Sequence, residues 1–152
     1  HLAECGMIYA LYWSAFFELA EEAGLPTPGF DTRTLFLALG IKDKKTRANE
    51  ELIGVFSIAW RCLYAEITRS RLNHATLNLT SAKRRAFCMI ANRLRGYAKA
   101  CKDFCNERRW TGRKYVLPAC LYTKRKLLKV KQDGNYVIHN AVMRRAKGAI
   151  QT

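Results

Sequence analysis

Six apolar residues, Phe87, Ile90, Leu94, Tyr97, Cys101 and Phe104, recur at steps of three and four through a stretch that holds no proline. That period puts all six on one side of an α-helix, whereas a β-strand would scatter them over both faces. Residues 82–109 are therefore committed to a long helix with an inward seam, and Thr80 or Ser81 is its expected N-cap. At 100° per residue, Arg84, Arg95, Lys102 and Arg109 line a flank about 100° from the seam, with Arg85 and Lys99 beside them. One helix is thus half core and half cation rail.

The same logic organises the rest of the chain. Ala3 to Ala23 reads as a first helix, stopped by Gly24 and Pro26. Glu4, Glu18, Glu21 and Glu22 share a narrow strip on it, and most of the remainder is apolar: Ile8, Tyr9, Tyr12, Trp13, Phe16, Phe17 and Leu19. A helix of this kind is central to a core, the preferred reading, or is offered to an apolar partner. Asp31 suits the N-cap of a short helix from Thr32 to Leu39, ended by Gly40. A long third helix is predicted from about Arg47 to Leu72, with the stripe Ile53, Phe56, Trp60, Leu63 and Ile67.

After Trp110 the periodicity weakens. A fifth helix from Pro118 through Leu128 is expected, with Asp133-Gly134 as a turn. The alternative is a hairpin that pairs Leu127–Val130 with Tyr136–Ile138 across that turn. A short helix is expected from Ala141 to Lys147. With 152 residues, 49% of them hydrophobic, and no internal repeat or linker, residues 1–152 form one domain. The expected fold class is all-α, a single-domain up-and-down bundle of about five helices.

Charge narrows the partners. Residues 1–40 hold one basic residue against five acids, whereas residues 76–152 hold nineteen against three, within a total of +15. A half-chain this one-sided repels itself and calls for a polyanion: nucleic acid, acidic glycan or anionic lipid. The longest uncharged run, Cys5 to Phe17, is thirteen residues, too short to span a bilayer. The expectation is a chain that is soluble or lies on a membrane. His1, standing where an initiator Met would, suggests an excised domain or a processed mature terminus.

Catalytic patterns are not found. The basic half offers only Asp103, Glu107 and Asp133 as acids, and the i, i+4 pair Asp103 and Glu107 suits surface ion pairs better than a metal nuclease. His74 and His139 sit in unrelated settings, with no Cys-His or Ser-His-Asp arrangement, and no glycine-rich phosphate loop occurs. Six cysteines allow three disulfides or a reduced core, and Cys101-x-x-x-Cys105 has no His at a zinc-like spacing. No enzyme activity, metal or cofactor is expected. Asn78-Leu79-Thr80 is the only N-x-[ST] sequon, a hint of a secretory route.

Two basic clusters remain. Arg108, Arg109, Trp110, Arg113, Lys114 and Tyr115 interleave cations with aromatics that stack bases well, and Lys124, Arg125, Lys126, Lys129 and Lys131 follow. No helix-turn-helix, zinc-finger or RNA-module signature accompanies them. From residues alone, nucleic acid is the first guess.

The order of landmarks redirects that guess. A long apolar helix precedes Gly29-Phe30-Asp31 and a short Leu35-to-Gly40 helix. Two long helices follow, then Lys114-Tyr115-Val116-Leu117-Pro118. This order resembles the abalone sperm acrosomal proteins, the family of the egg-envelope lysin and its fusagenic paralogue. In lysin a Gly-Phe-Asp likewise opens the second element and a Lys-Tyr-Leu-Pro follows the last long helix. The similarity covers most of residues 1–120, by helix order and short matches. It implies a lysin-like helical bundle, storage in the sperm acrosomal granule, secretion onto the egg, and non-enzymatic action. The six cysteines and the poor match beyond Tyr122 depart from lysin, and the aromatic first helix suits a protein that meets lipid. The fusagenic branch is favoured on those grounds.

The expected function is therefore promotion of sperm–egg membrane fusion. The cations Arg84, Arg95, Lys99, Lys102, Arg109, Arg113, Lys114, Lys124, Arg125, Lys126, Lys129 and Lys131 would grip anionic headgroups, with Trp110 as a wedge. Trp13, Phe16 and Phe17 are candidates for apolar insertion if the first helix is exposed. The expected partner is an anionic membrane surface or an egg-coat glycoprotein, with a homodimer left open. The alternatives are lysin-like dissolution of the vitelline envelope and nucleic-acid binding, which free thiols would favour.

Overall fold

A computed structural model describes residues 5–25, 50–109, 125–132 and 134–150. The first helix, α1, runs through Gly6–Ile8, a π-helical turn at Tyr9–Trp13, and Ser14–Glu22. Helix α2 spans Glu50–Leu72 and α3 spans Leu79–Arg109. Strands β1 (Leu128–Val130) and β2 (Tyr136–Ile138) form an antiparallel hairpin, and α4 covers Asn140–Ile150. Among the described residues the protein is mostly helical with one small sheet. The predicted Thr32–Leu39 helix, the start of the third helix near Arg47, Lys114–Pro118 and Cys120 lie outside the described residues.

Local chemistry ends the helices where the sequence suggests. Past α1, the Gly24 N–H donates to the Glu21 carbonyl and the Leu25 N–H to the Ala20 carbonyl, with Gly24 at φ +76° and Leu25 buried. This is a Schellman ending, for which glycine supplies the left-handed residue. Helix α2 ends the same way, but His74 takes the left-handed position at φ 49°. Its N–H donates to Arg71 and that of Ala75 to Ser70. The α3 cap is Asn78, not Thr80 or Ser81: its Oδ1 accepts the Ser81 N–H at 3.0 Å. Ser81 is the residue whose amide needs the cap.

Helices α2 and α3 form an antiparallel pair, since Glu66 meets Arg85 while Cys62 meets Met89 one turn further along α3. Helix α1 packs across both. The Trp13 ring lies parallel to Phe56 and Trp60 (centroids 6.1 and 5.9 Å away), Phe16 stacks on Phe87 at 5.0 Å, and the Tyr12 hydroxyl donates to the Ala59 carbonyl. This is the main core.

The predicted stripes are buried in part, and the buried faces extend to one side of them. On α2, Phe56 and Leu63 of the predicted stripe are buried, joined by Leu52, Val55, Ala59, Cys62 and Glu66, while Ile53, Trp60 and Ile67 are only half-buried. On α3, Phe87, Ile90 and Cys101 of the predicted seam are buried, Leu94, Tyr97 and Phe104 sit at the margin, and Ala82, Ala86, Ala91, Ala98 and Cys105 complete the interior.

The C-terminal region corrects a second expectation. Most of the helix expected from Pro118 through Leu128 lies outside the described residues, but its end at residues 125–128 leads into the hairpin instead, with Leu128 opposite Ile138, Lys129 opposite Val137 and Val130 opposite Tyr136. Leu128 and Val130 are buried on the C-terminal half of α3 with Ala98, Cys101 and Cys105, a second small core. Gly134 turns the hairpin at φ +86°, and a Cβ there would lie 2.9 Å from the Lys102 Cα. The Glu51 carboxylate anchors the hairpin's entry by accepting the Lys126 and Leu127 N–H groups at 2.6 and 2.7 Å. A three-residue strand is too short for periodicity to outvote a helical reading; the turn and its docking partner settle it.

Candidate binding surface

Between Glu66 and Asp103 the chain carries nine basic residues and no acid. Two of the nine serve the fold. The buried Glu66 carboxylate accepts from Arg69 at 2.5 and 2.9 Å, from Arg85 at 2.9 Å and from the Asn78 backbone N–H at 2.8 Å. The Arg69 hydrogen bonds, aided by the Asn78 N–H and the charge of Arg85, outweigh burial and hold the Glu66 pKa down to about 2. This node ties the end of α2, the interhelical turn and α3 together. Arg85, expected beside the cation rail, is exposed as expected, but its guanidinium is committed to Glu66.

The remaining cations form a surface. Arg84, Arg95, Lys99 and Lys102 are exposed, and Arg84 to Lys102 spans about 27 Å of helix. Arg95 contacts Asn92 and the Met143 sulfur of α4, so the rail runs along the rim where the C-terminal segment seats. Gly134, packed on Lys102, accordingly brings the hairpin's exposed Lys131 to the same place. Lys129 projects from the outer face of β1 beside Val137, which is 59% exposed. The helix and tail cations, read as separate clusters, are joined at one end of α3.

Other predicted residues fare differently. Lys126 is exposed, but Arg125 is half-buried with its guanidinium 4.2 Å over the Tyr97 ring. Trp110, Arg113, Lys114 and Lys124 lie outside the described residues, as does the Arg109 side chain. Arg144 and Arg145 are tied to Glu22 of α1. Among the described residues, Arg84, Lys99, Lys102, Lys126, Lys129 and Lys131 enter no salt bridge.

The insertion candidates on α1 need correction. Trp13 and Phe16 are fully buried, and Phe17 is half-buried with its ring 4.7 Å from that of Phe56. Exposed in their place are Met7 (65%), Leu11 (51%) and Tyr9 (46%), with Gly6 and Ala10 between them. Met7 and Leu11 each precede a buried residue, Ile8 and Tyr12, so this face is offset from the packed one. The uncharged run from Cys5 to Phe17 carried the signal. Ranking by aromatic size picked the residues that the core claims.

Burial pushes the Cys62 thiol and the Tyr12 hydroxyl up, away from ionisation. Cys5, Cys62, Cys88, Cys101 and Cys105 are thiols outside any disulfide, and His139 acts in the fold through its Nδ1, which accepts the Ala141 N–H at 3.0 Å. Among the described residues, no three His, Cys, Asp or Glu side chains converge to hold a metal ion, and no helix is long and apolar enough to cross a membrane. Comparison with known protein families, characterised proteins and solved structures finds no match.

Proposed function

We propose that this chain is a lysin-like, non-enzymatic fertilization protein, secreted from the sperm acrosomal granule, that binds anionic membranes and promotes sperm–egg fusion. The observation that carries the reading is the pairing of two surfaces on one fold. One is the exposed apolar face of α1 at Met7, Tyr9 and Leu11; the other is the unpaired cationic rim of α3 and the hairpin.

The physical sequence runs from adhesion to insertion. Each cation near a charged leaflet contributes about 1 kcal/mol, so Arg84, Lys99, Lys102, Lys129 and Lys131 together give firm but salt-sensitive adhesion. Exposed apolar side chains then enter the headgroup boundary, where amphipathic helices lie. The buried face of α1, anchored by Trp13 and Phe16, holds the helix to the body while its outer face engages lipid.

Lipid mixing between vesicles of anionic and neutral composition, titrated with salt, tests this. Fusion of anionic vesicles that fades with salt and with charge reversal at Lys102 and Lys131 supports it. Vesicles that stay inert at every composition overturn it. The five thiols favour a second reading, a basic nucleic-acid-binding protein. Its mark is tight, steeply salt-dependent binding to nucleic acid by a protein that leaves vesicles unfused.

A further inference from the structure

The chain's single sequon, Asn78-Leu79-Thr80, straddles the start of α3, and the fold leaves both of its chemical requirements unspent. Asn78 and Thr80 are exposed. The backbone N–H of Asn78 donates to Glu66 and its Oδ1 caps the Ser81 amide, so the side-chain oxygen is aimed into the helix end. Among the described residues, the Asn78 Nδ2 and the Thr80 hydroxyl enter no hydrogen bond. A cap alone explains Asn, Asp or Ser at position 78 equally well. It does not explain an amide whose nitrogen is idle, two residues before an idle hydroxyl.

We propose that Asn78 is an N-glycosylation site; the inference rests on the secreted character of the protein, and not on its membrane chemistry. A lipid-diphosphate-linked oligosaccharide is the donor. The Asn78 Nδ2 forms a bond to the sugar C1, the bond from C1 to the diphosphate oxygen breaks, and Nδ2 gives up one proton as the lipid diphosphate leaves. Transfer requires the sequon to be extended, and Thr80 lies in the first turn of α3. The reaction therefore precedes helix formation, on the nascent chain. Once made, the linkage keeps Oδ1, so the cap on Ser81 survives. The glycan then sits 24 residues from Lys102, about 36 Å along the helix, which leaves the hairpin end of the cationic rim uncovered.

The test is expression of the full chain behind a signal sequence in a eukaryotic secretory host, read by intact mass with and without a peptide N-glycosidase. The expected result is a glycan mass that the glycosidase removes, leaving Asp at position 78. Thr80→Ala should abolish it, Thr80→Ser should keep it, and Asn78→Asp should lose the glycan while retaining the cap and the helical spectrum. Secreted, folded wild-type protein at the bare chain mass overturns the proposal. Vesicle assays on the same material separate the two claims. Glycosylated protein inert to vesicles sinks the membrane reading alone; bare protein that fuses them sinks the glycan alone.

Discussion

Gly134 offers the sharpest test of how the hairpin is held. It has φ +86°, and an added Cβ would meet the Lys102 Cα at 2.9 Å and the Cys105 side chain at 3.4 Å. Gly24 is the natural control, because its φ is +76° but nothing lies within 4 Å of its added Cβ. Gly24→Ala therefore carries only the left-handed penalty, about 1–2 kcal/mol. Gly134→Ala carries the same penalty and also forces the turn off the α3 backbone, where overpacking costs about 1–3 kcal/mol more. The sum is about 2–5 kcal/mol, and for a domain of this size each kcal/mol lowers Tm by roughly 2–4 °C. Urea unfolding of the two variants beside wild type reads the difference as a midpoint shift at unchanged slope. Equal destabilisation by the two substitutions would refute the close approach of turn to helix, and with it the joining of Lys102 to Lys131.

Three further outcomes follow from the same geometry. Glu66→Gln should destabilise by about 2–3 kcal/mol, less than a fully buried pair, because Arg69 and Arg85 keep access to water. The carboxylate's lowered pKa means its contribution is complete above the unfolded value and is lost as pH falls from about 4.5 to about 2. A pH titration of stability should accordingly show an acid limb in wild type that the variant lacks over that range. His74→Gly relieves a non-glycine left-handed residue and should raise stability by about 1 kcal/mol in thermal unfolding; a loss would mean the His74 side chain does more than end α2. Met7→Ser with Leu11→Ser should leave folding within about 0.5 kcal/mol while weakening anionic-vesicle binding by roughly 10- to 100-fold. Trp13→Ala should do the reverse, costing about 3–5 kcal/mol of stability through a core cavity. If Trp13 rather than Met7 and Leu11 governs vesicle affinity in folded protein, the insertion face is misassigned.

Helices α1, α2 and α3 were legible from the sequence because their information is local. Period, the stop at Gly24 and the run of cations between Glu66 and Asp103 depend on residues within a few turns of one another. The charge that calls for a polyanion is likewise a property of composition. Which way each helix faces was only partly local: Phe56, Leu63, Phe87, Ile90 and Cys101 are buried as their spacing predicts. Ile53 and Trp60 look as inward as Leu52 and Cys62 by spacing, and only the position of α1 across α2 and α3 decides that the latter are buried. The same is true of Trp13 and Phe16: their hydrophobicity is intrinsic, but their removal from solvent depends on Phe56, Trp60 and Phe87 arriving from distant helices. The hairpin is the clearest case. Six strand residues and an Asp-Gly pair are compatible with either structure, and the choice rests on Gly134 seated against Lys102 and Glu51 holding its entry. Local periodicity specifies what a segment can be; packing partners far along the chain, which exclude water from one face and leave another bare, decide the surface that remains for function.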